Sequence, residues 1–295
     1  MSVLNRRFAV IGTGVVGTAL AVLLEKAGLR CVGVHTRTTA SYENFCRYLK
    51  SPHLELSVLA READLLFITT LDGEIERVAE KLAKLSAHKP AQVWIHCSGS
   101  LQSASMRKNP ELAVSYLSVH PLQAFADVDS ALQLMAGVHF GIEGSNQRSE
   151  QLGRELVQIL GGIPHRIKPE QKTLYHAGAV VASNYLVSLA YLGVKLFEMA
   201  GISRQEALES LLPLMQGAYQ NVDRVGLHRA LTGPIARGDV EVIEKHLQEM
   251  PEELGKTYKA LGRLALELGK ERKKLQGLSY SPESLERLKN LLKED

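Results

Sequence analysis

The pentapeptide His96-Cys97-Ser98-Gly99-Ser100 sets an imidazole, a thiol and two hydroxyls directly after the apolar run Val93–Ile95. Side chains of these types suit a nucleophile, a metal site or a loop that receives a ligand. A serine nucleophile would need a GxSxG elbow and an identifiable Ser–His–Asp set, and neither is present. A metal held by His96, Cys97 and His120 has no recognised ligand spacing, so no metal is expected. The remaining reading is ligand reception through Ser98 and Ser100, with Cys97 packing. Two more polar clusters follow apolar runs in the same way: Thr69, Thr70 and Asp72, and His120-Pro121-Leu122-Gln123.

A second set lies in KTLYHAGAVVASNYL, Lys172–Leu186. Lys172 and His176 are four residues apart and share one face of a helix, and Ser183 falls within about 20° of it. Asn184 lies about 120° round from Lys172. A lysine at the mouth of a cleft can protonate an alkoxide as it forms; the competing expectation is an exposed first-turn lysine. A third segment, Leu231–Asp239, interrupts a helical pattern with two glycines and a proline. Thr232, Arg237 and Asp239 either face a site or serve the next helix, where Asp239 suits the N-cap.

These clusters need a frame, and the N-terminal sequence supplies one. Gly12-Thr13-Gly14-Val15-Val16-Gly17 lies between the apolar run Phe8–Ile11 and a helical pattern ending at Gly28. In that strand–loop–helix setting the first glycine allows the tight turn, the second admits a pyrophosphate, and the third lets the helix pack on the strand. Free N–H groups of the helix N-terminus then face the phosphates. NAD-binding versions carry a carboxylate after the second strand. Here Thr36-Arg37-Thr38 stand at that place with no acid before Glu43. A guanidinium suits a 2′-phosphate, so NADP(H) is expected, with Arg37 as the main determinant and Thr36 and Thr38 assisting. Ser98, Thr69 and Thr70 are expected near the nicotinamide, at the strand ends where open α/β sheets bind ligands.

The elements that hold these loops alternate. Apolar runs at 8–12, 31–35, 64–70, 92–97, 114–120 and 137–142 read as strands, with helical patterns at 16–27, 42–50 and 72–86 between the early ones. Glycines and prolines punctuate Leu160–Lys172, and almost every later pattern is helical: 172–200, 204–219, 240–248, 252–268 and 282–292. The expected class is α/β, an N-terminal Rossmann dinucleotide-binding domain (1–168) followed by an all-α C-terminal domain (169–295). The chain has 295 residues, 45% of them hydrophobic, which fits a globular protein with large cores. A formal charge of +3, from 35 basic and 32 acidic residues, gives no electrostatic case for nucleic acid or membrane. The basic run Lys270–Lys274 reads as a solvated helix end. Three widely spaced cysteines fit reduced thiols in the cytoplasm. No signal peptide precedes the first strand, and no apolar run is expected to span a bilayer.

Together the glycine loop, His96–Ser100, Val119–Phe125, the Lys172–Asn184 helix and Leu231–Asp239 resemble the Rossmann-like oxidoreductases that carry a helical C-terminal domain of unknown function. That family lies within the wider 6-phosphogluconate dehydrogenase-like group, and some members are similar to alternative-type ketopantoate reductases. The resemblance implies an NADPH-dependent reductase of a small carbonyl acid, with ketopantoate to pantoate the leading reaction. Lys172 resembles the acid–base lysine of a Lys-x-x-x-Asn pair, with His176 standing where that pair has asparagine. His120-Pro121 resembles the His-Pro of prephenate dehydrogenases, whose histidine contacts the substrate hydroxyl, but the continuation Leu122–Phe125 departs from that family. Lys172 or His120 is thereby the proton donor, and Ser98, His176, Asn184 and Thr232 are substrate contacts. A homodimer through the helical domain is also implied. The rival readings are another NADP-dependent dehydrogenase or imine reductase of the same group, and a non-catalytic NADP-binding sensor.

Overall fold

The computed structural model describes residues 3–85, 88–89 and 91–294. It divides into two compact units, Met1–Ser183 and Asn184–Asp295. The first is built on seven strands: β1 (Arg7–Ile11), β2 (Arg30–His35), β3 (Leu65–Ile68), β4 (Val93–His96), β5 (Ser115–Pro121), β6 (His139–Gly144) and β7 (Ile163–Arg166). Their order in the sheet is β2-β1-β3-β4-β5-β6-β7. All pairs are parallel except β5 with β6. Helices α1 (Val15–Lys26), α2 (Thr39–Cys46), α3 (Leu56–Glu62), α4 (Asp72–Ala83), α5 (Val128–Leu134), α6 (Gln147–Ile159) and α7 (Lys172–Ala182) complete the unit.

The continuous apolar strands follow from burial on both faces. Side chains alternate along β1, so Phe8 and Val10 join Leu20, Leu24 and Leu117 in one core while Ala9 and Ile11 join Leu66, Trp94 and Tyr116 in the other. Buried Gln92 braces the second core, donating to the carbonyls of Ala60 (2.8 Å) and Ala63 (2.7 Å) and accepting from the Trp94 indole (2.8 Å). Since β1, β3, β4 and β5 run parallel, their carboxyl ends lie along one edge. Residues 12–17, 69–72, 97–103 and 122 onward leave the sheet there. The chain leaves β1 for β2 on one side and continues through β3 on the other, which opens a crevice at the end of β1.

The second unit contains α8 (Asn184–Met199), α9 (Arg204–Ala230, bent at Gly226), α10 (Pro234–Arg237), α11 (Val240–Glu249), α12 (Glu252–Leu275) and α13 (Pro282–Leu291). Val194, Ala207 and Leu211 form the core of α8 and α9, and Ile235, Ile243, Leu266, Tyr280 and Leu288 form that of the others.

Several expectations shift. The division between units falls at Ser183 instead of near residue 168. The helix expected over 172–200 breaks there, with Ser183 at φ −117°, ψ −67° and its hydroxyl donating to the Ala179 carbonyl. Strand β7 hides in the glycine- and proline-rich run that reads as a boundary, and helices α3, α5 and α6 were not assigned from periodicity. The end of the helix expected over 72–86 lies outside the described residues. Asp239 occupies the N-cap position of α11 without capping it, because its carboxylate accepts from Arg237 Nε at 2.7 Å. One stretch bears on the membrane expectation. The stretch Pro169–Met199 is long and apolar enough to cross a bilayer by length and composition, with a mean hydropathy of 1.5 in its best window. The Ser183-Asn184 interruption conceals that average from a count of uninterrupted apolar residues.

The glycine loop depends on contacts that exclude side chains. A Cβ on Gly17 would lie 2.2 Å from the Gly12 carbonyl oxygen and 2.4 Å from Thr69 Oγ1. Gly17→Ala is therefore expected to lower stability by about 1–3 kcal/mol, read as a shift of the urea midpoint. An unchanged midpoint would show that the loop has room to move.

Candidate functional site

A cleft of about 310 Å³ opens over the end of β1, lined by Gly12–Gly14, His35–Thr38, Ser41, Thr69–Leu71 and the Glu74, Val78 and Lys81 face of α4. Gly12 has φ +99°, a conformation that favours glycine, and a Cβ there would press on the Thr69–Thr70 backbone at 2.9 Å. A Cβ on Gly14 would meet nothing within 4 Å. The outer glycines are thus packing requirements, and the middle one leaves open space beside the N-terminus of α1. No side chain caps that terminus, so the amides of Val15, Val16 and Gly17 remain available to an anion.

The other residues expected to bind cofactor divide by role. Thr69 Oγ1 donates to the Gly12 carbonyl at 2.6 Å, and Thr13 Oγ1 to the Ser41 carbonyl at 3.3 Å, so both brace the loop. Thr70 Oγ1 is buried without a partner. Thr38 caps α2, accepting from the Ser41 amide at 3.2 Å, while the Thr36 amide donates to His53 Nε2. Arg37 lines the cleft and has no ion-pair or hydrogen-bond partner among the described residues. Lys81, a second cation on the same lining, was not picked out from the sequence.

The second polar centre lies at the ends of β4 and β5 and the start of α7. Lys172 is 2% exposed. Its ammonium donates to Ser118 Oγ at 2.6 Å and to the Ser98 carbonyl at 3.3 Å. This corrects the expectation of a lysine at the mouth of a cleft, and equally that of a surface lysine. Burial lowers its pKa to about 8, opposed by the charge of Glu143 and, more weakly, by that of Asp72. Glu143, 2% exposed, is itself held by the Ser103 amide (2.5 Å) and hydroxyl (2.7 Å).

Ser98, expected as a ligand contact, is held by groups of its own chain. Its hydroxyl donates to Asp72 at 2.6 Å and accepts from the amides of Ser100 (3.2 Å) and Leu101 (3.1 Å). Its proton and its accepting capacity are committed to holding the loop, and only its carbonyl reaches Lys172. His96 is likewise engaged: Nδ1 accepts from the Ser98 amide and Nε2 donates to the Gln102 carbonyl. Burial first, and Lys172 second, lower its pKa to about 4. Burial raises the Cys97 thiol to about 12. Among the described residues no three His, Cys, Asp or Glu side chains are arranged to hold a metal ion.

His120 and His176 meet over Gly99, their rings perpendicular with centroids 5.9 Å apart. A Cβ on Gly99 would strike His176 Nδ1 at 2.6 Å and His120 Nε2 at 2.9 Å. His176 Nδ1 is buried and unpartnered. Burial lowers the His120 pKa to about 4, helped by the charges of Lys172 and His176 and opposed by Asp72. Lys172, His120, His176 and the Ser98 loop therefore form one cluster in the first unit. Asn184 opens α8 and Thr232 is exposed after α9, both in the second unit.

Residues 4–121 match the family model of a Rossmann-like domain, and residues 138–265 that of a domain of unknown function, DUF2520. The chain joins a Rossmann-like domain to DUF2520. No curated protein matches. Among solved structures, an inferred NADP oxidoreductase from Bacteroides fragilis superposes with a TM-score of 0.68 at 21% identity, covering 92% of this chain and 100% of its own. A Thermotoga maritima protein gives 0.68 at 27% identity over 90% and 98%. An NADH-preferring ketol-acid reductoisomerase from an uncultured archean gives 0.65 at 17% identity over 97% and 92%. The cluster draws on both matched segments. Ser98, Ser118 and His120 come from the Rossmann-like domain, and Glu143, Lys172 and His176 from the DUF2520 segment.

Glu143, Ser118 and Tyr175 were not identified from the sequence. A buried glutamate in the apolar strand β6 is the one local signal that pointed to a charge needing a partner. The Lys172 ammonium carries a testable cost. Its folded pKa of about 8 lies below the ordinary 10.5, so the unfolded chain binds more protons between those values and stability rises with pH across that window. The gain expected from this group between pH 7 and pH 9 is about 1 kcal/mol. Urea titrations of the wild type and Lys172→Met should differ by that pH-dependence; parallel curves would show that the ammonium is not buried.

Proposed function

We propose that the protein is an NADP(H)-dependent oxidoreductase that reduces the carbonyl of a small 2-oxo acid, with ketopantoate the first candidate. The observation that carries this reading is a buried lysine with two imidazoles on the same sheet edge as a glycine-lined nucleotide cleft. The cleft fits the cofactor: Gly14 leaves space where a pyrophosphate would approach, and Arg37 and Lys81 supply cations without competing carboxylate partners. Since solved structures of this fold include NADP- and NADH-linked proteins alike, the choice rests on this chain's own residues. Arg37, with no acid at the end of β2, favours the 2′-phosphate. Bound NADPH supplies the hydride.

The chain's own groups handle the proton. At pH 7 Lys172 is mainly charged, with a pKa of about 8, whereas His120, at about 4, is neutral. When hydride adds to the carbonyl carbon, the π pair moves to oxygen, and Lys172 is the group able to give that oxygen a proton. Two of its three N–H donors are taken by Ser118 and Ser98, which leaves one for substrate. The neutral His120 imidazole orients the carbonyl oxygen. Ketopantoate itself is supported by the family resemblance alone, so an imine or another 2-oxo acid is the same-class rival.

The second unit supports a homodimer. Tyr185, Val187 and Tyr191 of α8 and Leu208, Leu212 and Leu214 of α9 are exposed. The charged residues along α9 fit a protein partner better than lipid, and three free cysteines fit a reducing cytoplasm. Light scattering after gel filtration should give twice the chain mass; a monomer would overturn this part.

The decisive assay is NADPH oxidation against a panel of 2-oxo acids, including ketopantoate, and imines. Lys172→Ala is expected to lower kcat by about 100-fold or more, and the wild-type rate should fall as pH rises through about 8, where the acid is lost. Tight NADPH binding without turnover on any substrate would favour the sensor reading instead. Separately, Arg37→Ala is expected to weaken NADPH about 10-fold or more while sparing NADH; a retained preference for NADPH would refute the assignment of Arg37.

A further inference from the structure

Tyr175 has no part in the reading above, yet its hydroxyl is the one hydrogen-bond partner of the His120 ring among the described residues, 3.1 Å from Nδ1. The two rings stand perpendicular, with centroids 5.6 Å apart. What brings the phenol there is a glycine. Gly141 lies directly opposite His120 in the β5–β6 register, and a Cβ on it would come within 2.8 Å of both the Tyr175 hydroxyl and the ring carbon that carries it. The phenol rests on bare backbone.

The chemistry of the phenol sets the direction of the bond. Among the described residues its hydroxyl has no hydrogen-bond partner other than this nitrogen. A phenol O–H is a better donor than its oxygen is an acceptor, so toward a neutral imidazole it gives its proton to Nδ1. A neutral imidazole whose Nδ1 accepts carries its single proton on Nε2. His120 Nε2 is the nitrogen that lies over Gly99, beside the buried and unpartnered Nδ1 of His176. A buried nitrogen without a partner is costly unless a ligand supplies one.

We propose that Tyr175 is a positioning residue that locks His120 in its Nε2–H tautomer, so that a neutral imidazole N–H is presented over Gly99 to the reacting oxygen of the substrate. The identity of that oxygen rests on the reductase reading; the tautomer does not. Tyr175 touches neither the nucleotide cleft nor Lys172 by any hydrogen bond, and acts through His120. Gly99 and Gly141 are then linked requirements, one making room for the two imidazoles and the other for the phenol.

The test is a long-range ¹H–¹⁵N correlation spectrum of the full-length, ¹⁵N-labelled protein at neutral pH, with His120 assigned by its loss in His120→Gln. The wild type is expected to show His120 protonated on Nε2 alone. Tyr175→Phe keeps the ring over Gly141 and removes the hydroxyl, and should give a mixture of tautomers. Gly141→Ala displaces the phenol by a different route and should do the same. A wild-type His120 protonated on Nδ1, or a Tyr175→Phe protein still wholly in the Nε2–H form, would overturn the proposal. Because no substrate is needed, this outcome stands apart from the turnover assay. Where turnover is found, Tyr175→Phe should lower kcat about 10-fold with KM changed less than about 2-fold; a change confined to KM counts against it.

Discussion

Everything at the sheet edge depends on burying one ammonium. An isolated charge in a protein interior is costly, and it persists there only when acceptors and counter-charges surround it. Lys172 has the Ser118 hydroxyl, the Ser98 carbonyl and the field of Glu143 and Asp72. Each of these is held in turn. Glu143 is fixed by Ser103, and Asp72 receives the hydroxyls of Ser98 and, at 3.2 Å, Ser100. Asp72 opens α4, directly after the Thr69–Leu71 wall of the nucleotide cleft. The hydrogen bonds that accommodate the lysine therefore tie the β4 loop to that wall.

Glycines do the complementary work of bringing backbone and rings close. Gly17 lets α1 approach the turn at Gly12, Gly99 admits two imidazoles, and Gly141 admits the phenol. Only Gly12 among these four needs an unusual backbone conformation; the others are glycine because a methyl group has nowhere to go. Gly14 is the contrast. No protein atom excludes a side chain there, so the space beside it belongs to whatever the loop receives.

The sequence made the sheet legible because strands buried on both faces leave unbroken apolar runs, and the glycine loop was legible because its neighbours were a strand and a helix. β7 was not, since a four-residue edge strand containing Pro164 offers neither a long run nor alternation. The site was half legible. Lys172 and His176 stood out as a helical pair, and His120 as a polar residue ending a strand. That Lys172 is buried was not readable, because the groups that make burial tolerable, Ser118 and Glu143, lie 54 and 29 residues away in the chain and meet it only through the sheet. Ser98 is the converse case. A serine at a strand end looks available until its partner Asp72, on another loop, is placed beside it.

The contrast between Lys172 and His120 underlies the proposed division of the chemistry. Burial pushes both toward their neutral forms, but from different starting points. A lysine begins so far above neutrality that a large downward shift brings it to about 8, still charged at pH 7, whereas a similar pressure takes a histidine to about 4. Environments that set two titratable groups on opposite sides of the working pH separate the proton donor from the neutral hydrogen-bonding group. Exchanging the two residue types would lose this, since a histidine in the Lys172 position would already be neutral. The buried lysine is thus more than a tolerated charge: among the basic side chains of the cluster, it is the one that can be desolvated this far and still carry a proton to give.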